Sequence, residues 1–423
     1  MINKKFVNTI LFVFLSAGAL VNCNNSISGG STETVNTKIA ARVLASDGSA
    51  VSGAIVKIIP SDWDPISPEG VVYVSTTDHR GFFSISVHQF DTGMSYYNLL
   101  ISGLREGIFY DSLLLKAGSD LELEPITIKP TGSIRGIAAF EMGSQDDSVQ
   151  VILPGSEYSF KIAQGLFSFS GIQNGKYRIR FISPDSTFES YDTLIDVVAG
   201  TEVTLKDTVK LSLVRTLIDN FDDGDELLIH NRSDINNGWN SYWYIFNEKD
   251  QDSLTKVFPS GVFENLKLLF TGESAYSGKS VHLSAVLADR SNPFMGIGCR
   301  LPSNYQHIAD LKSLKGLSFY MRGKGTWRVS FIASAINKYP SNERWGTWGK
   351  YVQSPTEWEK VTINVSEILP QPGSPQARDS LMWEEVRDSV GILQFVTAGS
   401  AKDSFELYLD NIELHGTGLE DLR

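Results

Sequence analysis

Cysteine is nearly absent from this chain, with two in 423 residues, Cys23 and Cys299. Histidine is scarce too: the six, at positions 79, 88, 230, 282, 307 and 415, are scattered singly. No acid–histidine pair has metal-ligand spacing and no H-E-x-x-H occurs, which excludes a zinc-peptidase site. A G-x-S-x-G elbow and a phosphate-cradling glycine loop are missing as well. The formal charge is −12 with no basic run, which argues against nucleic acid and against a polybasic membrane patch. Beyond the N-terminal leader, no stretch approaches the ~18 uninterrupted apolar residues that a membrane-spanning helix needs.

What is present begins with that leader. Lys4 and Lys5 precede an apolar run from Phe6 to Val21, and Cys23 follows almost at once. A basic start and a short apolar core make an export signal. Leu20 and Cys23 resemble the lipobox of bacterial lipoproteins, whose cysteine becomes the lipidated first residue of the mature chain. The resemblance implies a signal peptide over 1–22, a lipid anchor on Cys23, and residence at the bacterial outer membrane or cell surface. The alternative is ordinary cleavage with Cys23 an incidental thiol; in both, the chain leaves the cytoplasm. If Cys23 carries lipid, Cys299 has no disulfide partner and reads as a small buried hydrophobe. Residues 23–37, rich in Ser, Thr, Asn and Gly and without aromatics, read as a flexible tether.

The remainder is too long for one hydrophobic core. The chain's 36 glycines and 11% aromatic residues lean toward strands and turns. In "KIAARVLA", Ile39, Ala41 and Val43 share a face, and in "GFFSISV" Phe83, Ile85 and Val87 do the same. Turn residues such as "SDGSAVSG" and "DHRG" separate these runs, so 38–127 reads as a small β-sandwich. Its "GA.V" after the first turn and its "T…G.F.I" hairpin resemble the carboxypeptidase regulatory-like (prealbumin-like) domain. The pattern returns in "AQGLFSFSGIQNGKYRIRF", which makes 128–212 a second sandwich of the same class. Without a peptidase beside them, both read as spacers or adhesive units.

Residues 213–416, with a tail at 417–423, carry most of the information. "LIDNFDDGD" opens the unit, "NNGWNSYWYIF" follows, and "FELYLDNIELHG" closes it. In this order the segments resemble family 11 carbohydrate-binding modules and the wider galactose-binding-like jelly rolls. Alternation agrees: Trp327, Val329 and Phe331 oppose Arg328 and Ser330, while Leu317, Phe319 and Met321 oppose Tyr320. A face bearing Tyr, Arg, Ser and Gln suits sugars, since rings stack on C–H faces and planar donors meet hydroxyls. The candidate binding residues are Tyr320, Arg328, Trp345, Trp348 and Gln394, the two tryptophans because their glycine-flanked loop gives no periodic reason for burial. Trp327 and Trp358 read as core, and Trp243 fits core or binding face equally. At the family's groove positions this chain has Phe294-Met295-Gly296 and Thr397 instead of tyrosines.

In such jelly rolls the first and last strands pair, which would bring Asp219, Asp222 and Asp410 together. The resemblance implies a structural calcium site there; the alternative is that Asp410 and Asn411 begin a polar turn. The whole is then an all-β, non-catalytic surface lipoprotein that binds polysaccharide, β-glucan-like by resemblance. The competing class is a structural or adhesive protein in contact with other surface proteins. The paired carboxylates of a glycosidase have no scaffold left once three β modules are assigned.

Overall fold

A strand that alternates apolar and polar residues must find a second sheet to cover its apolar side. In the computed structural model of this chain the strands do so three times over, giving an all-β protein of successive sandwiches. The structure describes residues 34–90, 94–143, 149–225, 227–229, 242–248, 255–258, 270–271, 275–302, 308–333 and 346–422.

In the first sandwich, strand Thr34–Leu44 pairs antiparallel with Phe82–Phe90 on one side and parallel with Leu121–Glu122 and Ile126–Thr127. The facing sheet runs Tyr73–Thr76, Ile55–Pro60, Met94–Ser102, Glu106–Lys116 and Lys129–Pro130. The second sandwich repeats this order. Its opening strand Gly132–Phe140 pairs antiparallel with Leu166–Ile172 and parallel with Glu202–Thr204 and Val209–Leu211. The facing sheet is Ser159–Lys161, Gln150–Ile152, Gly175–Ile182 and Tyr191–Val197.

These two units are not beads on a string. Ile59, Leu100 and Phe109 of the first are buried in the core of the second, and Phe109 stacks on Tyr177 with centroids 4.3 Å apart. Asn98, 1% exposed, donates to the Gly155 carbonyl across the seam and accepts from the Ser112 amide, both at 3.0 Å. Gly155 must be glycine: its φ is +74° and a Cβ would lie 2.0 Å from the Asn98 amide nitrogen. The second unit meets the third through Glu141, which accepts from the Leu213 amide and the Arg215 guanidinium.

The third sandwich is the largest. One sheet holds Arg215–Asp219, Lys256–Phe258, Phe270–Thr271, Ser280–Val286, Ser404–His415, Gly316–Lys324 and Glu359–Asn364. The other holds Trp243–Asn247, Met295–Arg300, Val390–Thr397, Thr326–Ala333, Gly346–Gln353 and Leu369–Pro370, in that spatial order. Leu317, Phe319, Met321, Leu407 and Leu409 from the first meet Ile297, Val329, Phe331, Leu393 and Phe395 from the second. Phe319 and Phe395 touch edge to face between the layers, 5.1 Å apart. Cys299 is fully buried in this core, and burial pushes its thiol pKa well up. The first and last strands are antiparallel neighbours, Arg215 opposite His415 and Asp219 opposite Ile412.

Asn98 supplies the polar tie of the seam between the first two sandwiches. Asn98→Ala is expected to lower stability by roughly 1–3 kcal/mol, because it strands the Gly155 carbonyl and the Ser112 amide. Denaturant unfolding of the full chain checks this; an unchanged midpoint contradicts it.

Candidate functional site

Trp243 sets the geometry of the site. Its ring is buried, 1% exposed, and its indole N–H donates to the buried Asp219 carboxylate at 2.8 Å. Side chains alternate along a strand, so with Trp243 pointing inward Tyr242, Tyr244 and Phe246 point out. Phe294, two residues before Gly296 on the neighbouring strand, joins them. The four rings form a strip along the edge of the six-stranded sheet, with successive centroids 6.3, 5.9 and 6.3 Å apart. Tyr242 is 52% and Phe294 36% exposed, while Tyr244 and Phe246 are half-buried. Burial pushes the Tyr244 hydroxyl pKa up to about 12, so it remains a hydrogen-bond donor at physiological pH.

The floor beside the strip is low and polar. Tyr244 and Phe246 stand opposite Gly298 and Gly296, and a Cβ at Gly296 would lie 2.4 Å from the Phe246 ring. Beyond the glycines come Gln394 and then Ser330, each on the neighbouring strand. Gln394 donates to the Ser330 hydroxyl at 3.2 Å. Arg328 lies on the same face, two residues from Ser330. It donates to the Leu369 carbonyl at 2.9 Å and its guanidinium lies 5.1 Å from the exposed Tyr351 ring. Burial lowers the Arg328 pKa, although Tyr351 opposes this. Arg328 and Gln394 therefore share one face, as expected, but both are nearly buried.

Tyr320 does not join them. It belongs to the seven-stranded sheet, on the opposite outer surface of the sandwich. Its ring is stacked on Tyr276 at 3.6 Å, and Lys360 lies 5.8 Å from it. Tyr276 thus covers one flat face of its ring, and the ring lies on the opposite outer surface from Arg328 and Gln394, away from the site it was expected to share with them. Trp358, expected in the core, is half-buried on that same surface, 5.9 Å from Tyr276 and 5.4 Å from the Arg322 guanidinium.

Trp348 is also corrected. It is fully buried and pairs across strands with Phe331. Its indole N–H donates to the Leu381 carbonyl at 2.9 Å. The segment Pro375–Glu385, with Gln376, Leu381 and Trp383 buried, closes over that end of the sheet. Trp345 and Cys23 lie outside the described residues.

The three acids expected to hold calcium each accept hydrogen bonds from protein groups. Asp219 accepts from the Phe221 amide and the Trp243 indole, both at 2.8 Å. Asp410 accepts from Ser280 Oγ at 2.9 Å and from the amides of Ser277 and Asn411. Asp222 accepts from the Lys279 amide at 2.9 Å. Among the described residues no group of three or more His, Cys, Asp or Glu is placed to hold a metal ion.

No protein-family model and no curated protein matches the chain. Among solved structures, it resembles the family 11 carbohydrate-binding module of the cellulosomal cellulase Lic26A-Cel5E of Clostridium thermocellum. That match has 14% identity and a TM-score of 0.30, covering 48% of this chain and 94% of that one. A family 30 carbohydrate-binding module matches at 14% identity and TM-score 0.31, over 49% of this chain and 89% of its own. The two facing antiparallel sheets of the third sandwich stand on their own strand pairing. Likenesses this distant say nothing about ligand.

Buried Asp410 has pH consequences. Burial, opposed by its hydrogen bonds, raises its pKa from 3.8 to about 6. The folded state holds that proton more tightly than the unfolded one. The contribution is therefore complete below 3.8 and is lost as pH rises through 6. His415 acts in the opposite sense: burial, reinforced by Arg215, lowers its pKa from 6.5 to about 4. Its contribution is present above 6.5 and is lost as pH falls to 4. Asp410→Asn should therefore gain on the wild type by on the order of 1–3 kcal/mol between pH 4 and pH 7. Denaturant midpoints measured across that range check it, and a pH-independent difference contradicts it.

Proposed function

We propose that this chain is a non-catalytic, exported protein that binds polysaccharide through the outer face of the six-stranded sheet in its C-terminal sandwich. The strip Tyr242–Tyr244–Phe246–Phe294 carries the reading. Four rings at roughly 6 Å intervals, two of them well exposed, offer consecutive apolar platforms along one line. Residues i and i+2 of a strand repeat at about 7 Å, so a strand edge suits an extended, β-linked backbone better than a compact ligand. The Tyr244 hydroxyl belongs to the strip and the Gln394 amide lies on the same face two strands away, as partners for hydroxyls, while the Arg328 guanidinium reaches toward the far edge of the sheet. The ligand we favour is a β-glucan, with an anchor on Cys23 holding the module at the outer surface of a bacterial membrane.

Stacking on one ring is worth roughly 0.5–1.5 kcal/mol beyond its area, so single truncations should be visible. Tyr242→Ala and Phe294→Ala should each weaken retardation of the full chain in a native gel containing soluble β-glucan, by about two- to thirteenfold in affinity. Their melting temperatures should stay within a few degrees of wild type, because both rings are exposed. Trp348→Ala should instead destabilise the fold by ~3–5 kcal/mol. Wild-type retardation by the strip variants would remove the strip from the site. No retardation of wild type by glucan, xylan or mannan would favour the adhesive reading.

The anchor is tested separately. Cys23→Ser should move the protein from the membrane fraction to the soluble one in the producing cell. Equal fractionation, with no acyl label on the wild type, excludes the lipoprotein reading.

A further inference from the structure

A cavity of about 660 Å³ opens at the seam between the first two sandwiches, far in sequence from the aromatic strip. That volume lies in the range of small-molecule sites, about 300–1,000 Å³, which favour domain interfaces. Its floor is apolar: Phe109 from the first sandwich and Tyr177 from the second, stacked and buried. Tyr96, 57% exposed, forms part of one wall.

The polar lining carries both signs of charge. Asp62 and Asp111 come from the first sandwich, and Lys176, Arg178 and Asp196 from the second. Lys176 stands directly across from Asp196 in the strand pair Gly175–Ile182 with Tyr191–Val197. Ser112 adds a hydroxyl, bonded to Asp111 at 3.0 Å. A ligand that satisfies this lining must offer a C–H face to the exposed Tyr96 ring, with both donors and acceptors around its rim. A sugar ring does so, since carboxylates accept from adjacent hydroxyls while Lys and Arg donate to ring and hydroxyl oxygens.

The walls are fixed in advance. Asn98 ties Gly155 to Ser112 behind the cavity, and the Gly155 amide donates to the Trp63 carbonyl at 2.7 Å. Phe109 is held by its amide bond to the Asn174 carbonyl at 3.0 Å. A Cβ at Gly175 would lie 2.5 Å from the Phe109 carbonyl oxygen, so only glycine permits that approach. Ser112 itself is held at φ +61°, a left-handed conformation that costs a non-glycine residue free energy. Such strain is found where a fold commits a side chain to one direction. A pocket built in this way spends little ordering free energy on binding.

We infer that this inter-sandwich cavity is a second carbohydrate site, a pocket for one or two sugar units, distinct from the polysaccharide strip. The full chain is titrated by calorimetry with glucose, galactose, mannose, xylose and their β-1,4-linked disaccharides, and with triglycine as a zwitterionic control. The expected result is saturable binding of at least one sugar. Asp196→Asn and Arg178→Met should each weaken it tenfold or more, while Tyr242→Ala leaves it unchanged. Asn98→Ala should weaken it as well, by loosening the wall. Overturning results are no saturable sugar binding, binding of triglycine in place of sugars, or sugar binding lost in Tyr242→Ala but retained in both pocket variants. Retardation in the β-glucan gel by Asp196→Asn should match wild type, so failure of the pocket and failure of the strip are read independently.

Discussion

One hydrogen bond decides which way the aromatic strip looks. The Trp243 indole N–H, buried in the C-terminal sandwich, needs an acceptor, and the buried Asp219 carboxylate supplies it at 2.8 Å. Leaving either group unpaired inside a low-dielectric core would cost several times the net value of an ordinary hydrogen bond. The pair therefore pins the phase of strand Trp243–Asn247. With Trp243 inward against Phe221, Tyr242, Tyr244 and Phe246 have one side left, the outer one. The same carboxylate sits on the opening strand beside the closing one. Closure of the sandwich and display of the aromatic strip thus depend on one acid.

The acid thus has a structural role where it sits. Asp219 and Asp410 are buried carboxylates, and each is answered by N–H or O–H donors at 2.7–3.1 Å. Asp410 ties the closing strand to Ser277 and Ser280, much as Asp219 ties the opening strand to Trp243. Asp219 joins the two sheets of the sandwich, and Asp410 joins neighbouring elements within one of them. The N-terminal pair of sandwiches follows a parallel rule at its seam, where Asn98 meets the backbone of both units. In each place a buried polar side chain with satisfied partners fixes the position of elements that apolar packing alone would leave free to slide.

Much of the fold is legible in the chain itself. Trp327, Val329 and Phe331, and likewise Leu317, Phe319 and Met321, turn inward as their alternation requires, and the terminal strands of the third unit pair as its acidic ends suggest. The site is harder to read. In "YWYIF" every position is bulky and apolar, so alternation has no phase until Asp219, 24 residues earlier, supplies one. Trp348 looks exposed because glycines flank it, yet Pro375–Glu385 closes over it from about 30 residues away. The parity of Tyr320 correctly sends it outward; what sequence cannot express is that Tyr276 then covers its ring. The inter-sandwich cavity is least legible of all, since two homologous-looking repeats must dock before it exists.

The account turns on which face meets the polysaccharide, and oxidative footprinting by mass spectrometry reads that residue by residue. In the presence of soluble β-glucan, the proposed ligand, Tyr242, Tyr244, Phe246 and Phe294 should become protected. Tyr276, Trp358 and Tyr408, on the opposite sheet, should oxidise as in the free protein. Protection of that second group with the strip unchanged would contradict the assignment of the binding face.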